Sequence, residues 1–267
     1  VDHGECKYDI GGYFIINGNE KAIVAQEKIS ENKIYIFKVN KTNNKTICVA
    51  EVKSLNTRNM SIPKNFSIKI VKQGNTCVVR ANIPNIRQDI PLFILFRALG
   101  IESDKAILKY ILSNLDNNKK LMYILWDTIV EGSVCNTQVE AYEYIMNYIV
   151  SYGQPKDIKL DNLRKMGCIK DILEKDLLPH ILDSKSKVHY LGYMTKNLLE
   201  CYRGNRNYDD RDSYTNKRIE LSGILLLNLF RQYFSKTNKD MRNSIMKELN
   251  NCHNPDNIKN VVNETNI

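Results

Sequence analysis

The densest group of residues that could do chemistry lies in the last quarter of the chain. Asp209-Asp210-Arg211-Asp212 places three carboxylates within four positions, and such a density could hold a magnesium ion. An arginine stands among these acids, however, and Asn216-Lys217-Arg218 follows shortly after. Cations this close favour salt bridges, and Asp212 or Ser213 could cap the next helix by accepting its exposed backbone N–H groups. We therefore expect ion pairs and a helix cap here, and no metal site.

Other arrangements with known chemistry are missing from the sequence. It has no Gly-rich loop followed by Lys and Ser or Thr, no Gly-x-Ser-x-Gly motif and no paired acids suited to glycosyl or acyl transfer. The four histidines and seven cysteines are scattered, without the two-residue gaps of structural zinc sites. We therefore expect free thiols in a reducing intracellular compartment, with no metal and no catalytic residue in this chain.

The charge of the chain is basic and unevenly distributed. Residues 28 to 80 contain eleven Lys and Arg against two acids, so this segment carries the whole formal net charge of +9. A basic module concentrates polyanions and releases their counterions on binding, which favours nucleic acid as a partner. The alternative is a solvated, lysine-rich surface without a ligand.

Length and hydropathy indicate a folded chain without a membrane span. Its 267 residues are 43% hydrophobic, enough to bury a core. The richest apolar stretch, Ile219 to Phe234, is interrupted by Glu220, Asn228 and Arg231, so we expect no transmembrane helix.

The first 90 residues have the pattern of an antiparallel sheet. Asn17-Gly18-Asn19 separates the short runs Tyr13 to Ile16 and Ala22 to Ala25, which is typical of a hairpin because Asn-Gly tolerates positive φ. Further strands are predicted over residues 33–39, 46–53, 66–71 and 77–83. Polar, Asn-rich stretches between these strands are predicted to be turns or loops.

After Pro84 and Pro91 the hydrophobic period becomes helical. Helices are predicted over residues 92–99, 104–113, 119–130, 138–151, 160–174, 187–202, 216–234 and 239–250. Ser103 or Asp104 and Thr137 are predicted caps. The predicted fold class is α+β, with an antiparallel, basic-faced, strand-rich first part followed by a helical part.

Four segments resemble one protein family, in order and at similar spacing. Residues 9–27, DIGGYFIINGNEKAIVAQE, resemble the signature hairpin of the second-largest subunit of multisubunit DNA-dependent RNA polymerases, of the eukaryotic and large-DNA-virus type. Residues 83–100, which contain IRQDIPLFILFRALG, resemble the lobe of that subunit. LLPH at 177–180 with LGYM at 191–194, and DDRDSYTNKRIELSGILL at 209–226, resemble later parts of it.

The resemblance implies a division into interleaved domains and a role beside DNA. Residues 1–27 would end the first portion of the protrusion domain, residues 28–213 would form the lobe, and residues 214–267 would return to the protrusion. Together they would form a wall of the DNA cleft during template-directed RNA synthesis. The chain would thus be a component of a nucleotidyltransferase, while the catalytic residues and the Mg²⁺ of the full active site would lie outside it.

The resemblance also implies partners and a location. These are the largest polymerase subunit and small polymerase subunits, the DNA template and nascent RNA, and transcription initiation factors, with no membrane. The location would be the nucleus or, for a viral protein, a cytoplasmic viral factory or the virion. A detached lobe-like module that docks transcription factors, or an independent nucleic-acid-binding protein, are the alternatives.

Six residues are implied to contact nucleic acid: Lys21, Gln26, Arg211, Asn216, Lys217 and Arg218. Lys21 could instead pair with Glu20 or Glu27, and Gln26 could be an ordinary strand residue. The four residues of the 209–218 motif could simply pair with its acids. Four aromatic residues, Tyr13, Phe14, Phe93 and Phe96, are predicted to lie in the core rather than to stack on bases.

The sequence departs from the family pattern at three positions of the similar segments. Ile10 stands where the family usually has Pro, and Ser213 and Thr215 stand where it usually has His and Gly. The absence of that His weakens any expectation that position 213 itself contacts nucleic acid.

Overall fold

The computed structural model describes residues 4, 6–39, 45–56, 58, 62–74, 76–113, 119–149 and 166–251. Contacts within the chain divide it into two compact units. We call Val1–Ile29 with Asp212–Ile267 the terminal unit, and Ser30–Arg211 the central unit.

The terminal unit begins with a hairpin of two short strands, β1 (Tyr13–Ile16) and β2 (Asn19–Ala22). Asn17 and Gly18 form the turn, with φ of 51° and 76°, as the Asn-Gly pair predicts. The second strand begins at Asn19, so its predicted start at Ala22 is wrong. The turn has only two residues, and Asn19 already pairs with Ile16. Tyr13 and Phe14 are exposed, which contradicts their predicted place in the core.

A second two-stranded ribbon joins distant parts of the sequence in the same unit. β3 (Gln26–Ile29) pairs antiparallel with β9 (Lys217–Glu220). The helix predicted from residue 216 is therefore wrong at its start, because Tyr214–Asn216 forms a 3₁₀ turn and the next four residues are a strand. The last helix, α6, runs without a break over Ser222–Asn251, which merges the two helices predicted there. Residues 235–238 are polar but include no Gly or Pro to end a helix.

The central unit contains a five-stranded antiparallel sheet. Its strands follow the order of the chain: β4 (Ile34–Lys38), β5 (Thr46–Ser54), β6 (Lys64–Gln73), β7 (Thr76–Asn82) and β8 (Ile90–Pro91). Two strands of the sheet also bind residues outside it. Asp209 exchanges two hydrogen bonds with the backbone of Ile36 in β4, each 2.9 Å long, and Thr128 Oγ1 accepts the N–H of Val79 in β7.

Helices follow the sheet in the central unit, as predicted. They are α1 (Leu92–Ala98), α2 (Asp104–Leu112), α3 (Lys119–Gly132), α4 (Gln138–Met146) and α5 (Ser184–Arg203), with a helical segment at 166–171 that continues into a π-helical turn, Ile172–Asp176. Thr137 caps α4 by accepting the N–H of Glu140, as predicted, whereas the side chain of Ser103 makes no cap hydrogen bond. Part of the helix predicted over 160–174 lies outside the described residues.

One core lies between the sheet and these helices. Alternate residues of β6, Phe66, Ile68 and Ile70, are buried, because a strand points every second side chain to the same face. Phe93 and Phe96 of α1 are also fully buried, as predicted. The α+β fold class, with strands first and helices second, is thus confirmed.

His180 of the LLPH segment has a structural position in this unit. Its Nδ1 is hydrogen-bonded to Ser54 Oγ over 2.6 Å, and its backbone N–H donates to the same oxygen over 3.3 Å. The ring packs edge-on against Tyr190. Burial, together with the nearby Lys187 ammonium, lowers the pKa of His180.

Acid should therefore destabilise the central unit through His180. The unfolded chain protonates this histidine near its ordinary pKa of about 6.5, whereas the folded chain resists protonation, so stability falls as pH drops through that value. Urea unfolding at several pH values between about 5 and 7.5 should show a positive slope of unfolding free energy with pH. The variant His180→Gln should have a flatter slope, and an unchanged slope would contradict this assignment.

Candidate nucleic-acid interface

The β3/β9 ribbon of the terminal unit contains three of the six implied contact residues, Gln26, Lys217 and Arg218. In the antiparallel register, Gln26 lies opposite Glu220 and Lys28 lies opposite Arg218. Glu27 lies opposite Ile219, and Ile29 opposite Lys217, on the other face. Because side chains alternate between faces, Gln26 and Arg218 share one face while Lys217 lies on the reverse.

The face that carries Gln26 and Arg218 is basic. Lys28 and Arg218 stand directly opposite each other, an arrangement of like charges that is unfavourable without a counter-charge. Lys28 Nζ lies 2.5 Å from Glu220 Oε1, which supplies one negative charge. Arg218 is exposed and donates from Nη1 to the carbonyl oxygen of Lys217, 2.8 Å away. A phosphate oxygen on this face would be a second counter-charge.

The reverse face of the ribbon holds an ion pair. Lys217 Nζ donates to Glu27 Oε1 over 2.7 Å, and the hydrogen bond to this carboxylate raises the pKa of Lys217. A concavity of about 280 Å³ lies beside the pair, lined by Ala25, Gln26, Glu27, Tyr214, Lys217 and Ile219. The acid that pairs with Lys217 comes from β3, a partner that the local sequence did not suggest.

Asn216 and Lys21 have contrasting environments in the same unit. Asn216 is 7% exposed, at the end of the 3₁₀ turn that leads into β9. Burial to this degree favours a role in positioning the ribbon. Lys21 is exposed on β2, opposite Phe14, and no acid of the described residues lies within 4.0 Å of its ammonium. Of its two suggested partners, Glu27 binds Lys217 instead.

Arg211 belongs to the central unit. Its guanidinium stacks on the ring of Phe37, 4.3 Å from the centroid, and lies 3.9 Å from Glu51. The side chain is 62% exposed, so the stack positions the cation without removing it from solvent. The acid beside Arg211, Glu51, comes from β5, which lies far from it in the sequence.

Asp209, the first acid of the 209–212 segment, has structural partners in the central unit. Asp209 binds the backbone of Ile36 and lies 3.4 Å from Arg206 Nη2. The nearby Ser213 hydroxyl faces Thr215 at 2.9 Å and caps no helix in the structure, because the next element is a short 3₁₀ turn. Among the residues described, no group of three His, Cys, Asp or Glu side chains could hold a metal ion.

Acids from outside the basic segment neutralise some of its cations. Lys64 pairs with Asp176 at 3.2 Å, Lys69 with Asp89 at 2.9 Å, and Arg80 with Glu131. Other lysines of the segment, including Lys38, Lys45 and Lys72, are exposed. The positive charge of the basic segment is therefore partly neutralised by ion pairs in the folded protein.

Lys28 is the residue that sequence reasoning missed at this site. The sequence analysis counted Lys28 only as one cation of the basic segment. Gln26 and Lys28 are two residues apart in β3, and this spacing places both side chains on the same face of the strand. Only the pairing of β3 with β9 shows that Arg218 joins the same face.

Among the helices described, none is long and apolar enough to cross a membrane. The six cysteines within the described ranges are free thiols.

Known proteins show extensive similarity to this chain. Residues 30–220 match the family described as RNA polymerase Rpb2, domain 2. The chain is 38% identical over 255 residues to "DNA-directed RNA polymerase II subunit RPB2" of Encephalitozoon cuniculi, covering 94% of this chain and 21% of that protein. It is 37% identical to "DNA-directed RNA polymerase subunit Rpo2N" of Methanococcus vannielii, covering 93% of this chain and 48% of the relative.

A viral relative shows similarity over a comparable length. "DNA-directed RNA polymerase subunit 2" of Acanthamoeba polyphaga mimivirus is 34% identical over 256 residues, covering 88% of this chain. The chain spans about a fifth of the length of the eukaryotic and viral relatives, and about half that of the archaeal one. The chain therefore belongs to the Rpb2 family, the second-largest subunits of DNA-directed RNA polymerases.

Proposed function

We propose that this chain serves as part of the second-largest subunit of a DNA-directed RNA polymerase and forms a wall of its DNA cleft. The observation that carries the proposal is the similarity to Rpb2 proteins along 93% to 94% of the chain. The central unit would be the lobe, and the terminal unit would contain the two portions of the protrusion. The division of contacts near residues 29 and 211 supports that assignment.

The basic face of the β3/β9 ribbon is the proposed contact with nucleic acid in the terminal unit. Gln26, Lys28 and Arg218 would bind phosphate or sugar groups without reading sequence, as backbone contacts do. Lys21 and Arg211 would add exposed cations, while Asn216 and Lys217 would hold the ribbon in place. Buried Asn216 and the Lys217–Glu27 pair support these last two roles.

Catalysis and its Mg²⁺ would belong to parts of the polymerase outside these residues. The proposed partners are the largest subunit, small subunits, template DNA, nascent RNA and initiation factors. The nucleus, or a viral factory or virion, would be the location. The eukaryotic and mimivirus relatives support those two settings.

Affinity purification of the chain from its native source tests the assembly. The largest polymerase subunit should co-purify with it, and the isolated chain should show no nucleotidyl transfer with template, ribonucleotides and Mg²⁺. Recovery of transcription factors without the largest subunit would favour a stand-alone docking module. RNA synthesis by the purified chain alone would contradict the proposal.

The substitution Arg218→Ala should weaken binding of the chain to nucleic acid. Loss of one phosphate contact should reduce the slope of log affinity against log salt by about 1, uniformly across sequences. Fluorescence anisotropy with two unrelated duplexes measures both quantities. Arg242→Ala, an exposed arginine of α6, is the matched control and should bind like the parent chain.

A further inference from the structure

We infer that a second nucleic-acid contact lies at one end of the central sheet, where Lys38, Lys45, Lys72 and Arg203 bind the phosphate backbone. We call these four residues the sheet-end cluster. The inference rests on the proposed function. It extends that function to four residues that are not among the six contacts implied by the family resemblance and do not lie on the β3/β9 ribbon.

The strand register places three of these cations together. The N–H of Lys72 donates to the carbonyl oxygen of Lys45 over 2.7 Å, so these two lysines are neighbours across β5 and β6. Lys38 lies opposite Cys48, which in turn lies opposite Ile70, two residues before Lys72. With strands about 4.8 Å apart and about 3.4 Å of rise per residue, the Cα atoms of Lys38 and Lys72 are about 12 Å apart.

The end of α5 brings the fourth cation to the same end of the sheet. The hydroxyl of Tyr202 lies 3.5 Å from Sγ of Cys77, the residue that pairs with Lys72. Arg203 follows Tyr202 as the last residue of the helix and is exposed. Cations near a helix C-terminus also complement its partial negative charge, but that charge is only about half an electron.

The sheet-end cluster differs from the rest of the basic segment in its partners. Lys64, Lys69 and Arg80 each have an acid from elsewhere in the central unit. Within the described part of the chain, no acid lies within 4.0 Å of the ammonium groups of Lys38, Lys45 and Lys72. Of the acids near the end of α5, Asp209 is held by Ile36 and Arg206, and Glu200 lies one turn before Arg203.

Nucleic acid fits this surface better than an acidic polypeptide. A duplex carries one charge per about 1.7 Å of axis, so about seven charges fall within a 12 Å span. Lysine ammonium groups bind phosphates as point charges. Within the described residues, the exposed large apolar side chains lie outside the sheet-end cluster, so a peptide would find no apolar anchor there.

A charge-matched pair of triple variants tests the inference. The first replaces Lys38, Lys45 and Lys72 with glutamine; the second replaces Lys105, Lys109 and Lys170, which are exposed on helices. Binding of a duplex to the full chain should weaken about tenfold or more at low salt in the first variant, and its salt slope should fall by about 2 to 3. The second variant should lose little affinity beyond the shared effect of net charge.

Each outcome decides between the inference and the proposed function. Equal losses in both triple variants would overturn the sheet-end cluster, since only overall charge would then matter, and would leave the proposed function standing. An unchanged first variant, with Arg218→Ala weakened, would also overturn the cluster alone. Absence of salt-sensitive binding by the parent chain would overturn both contacts. Binding of poly-glutamate as tight as that of DNA of equal charge would assign the cluster to an acidic polypeptide instead.

Discussion

Replacement of Gly192 by alanine should destabilise the central unit by about 3 kcal/mol, because a rigid backbone occupies the space that a Cβ needs. Gly192 lies on α5 where this helix crosses α2, and a Cβ built there would collide with the carbonyl oxygen of Tyr110. That oxygen belongs to helical backbone, so the two helices would have to separate. Their contact is part of the core, with Ile111 and Leu191 both fully buried.

Urea unfolding of the parent chain and two glycine variants measures this effect. Gly167→Ala is the matched control, because Gly167 is helical and a Cβ there meets no atom within 4 Å. It should be neutral or slightly stabilising, since alanine favours a helix over glycine by up to about 1 kcal/mol. If Gly192→Ala were as stable as Gly167→Ala, the close crossing of α2 and α5 would be wrong.

Replacement of Arg97 by methionine should cost about 3 kcal/mol as well, through hydrogen bonds lost inside the core. Arg97 is 2% exposed. Its Nη1 donates to the carbonyl oxygens of Gly132 and Cys135 at the end of α3, and its Nη2 pairs with Asp104 of α2. Methionine keeps much of the apolar stem but leaves those two carbonyl groups without their donor.

The matched control for this variant is Arg87→Met. Arg87 is exposed, and its backbone N–H, which donates to Tyr148, is unaffected by the change. The urea midpoint of the Arg87→Met variant should stay near that of the parent chain. Arg97→Lys should be intermediate, because one ammonium group cannot reproduce the fork of a guanidinium. Equal stability of Arg97→Met and Arg87→Met would show that the buried hydrogen bonds contribute no net stability.

Strands of the central sheet were predictable because their signal is local. The structure places both ends of β4 to β7 within two residues of the predicted bounds, since alternation of buried and exposed residues is set within each strand. The turn at Asn17-Gly18 was predictable for the same reason. Helix α6 was predicted to begin too early, because Lys217–Glu220 contains no Gly or Pro that would stop a helix, and only its pairing with β3 makes it a strand.

The candidate interface was predictable in its residue types but not in its geometry. Gln26, Lys217 and Arg218 were all selected from the sequence, yet the pleat places Lys217 on the face away from the other two. Lys28 was counted only as one of many cations. Tyr13 and Phe14 were also wrongly predicted to be buried. Aromatic and apolar residues are usually buried, but their sequence does not show whether another part of the chain packs against them.

The sequence by itself determined the α+β class, the hairpin turn, most strands and helices, and membership of a polymerase family, since each depends on short-range pattern or on long runs of similar residues. Only the tertiary structure decided which cations are neutralised, because Lys64, Lys69 and Arg80 find their acids 20 to 112 positions away in the chain. It also decided which residues share a face, since strand pairing joins segments about 190 positions apart. Charge and pairing act through space, and a linear pattern does not contain those distances.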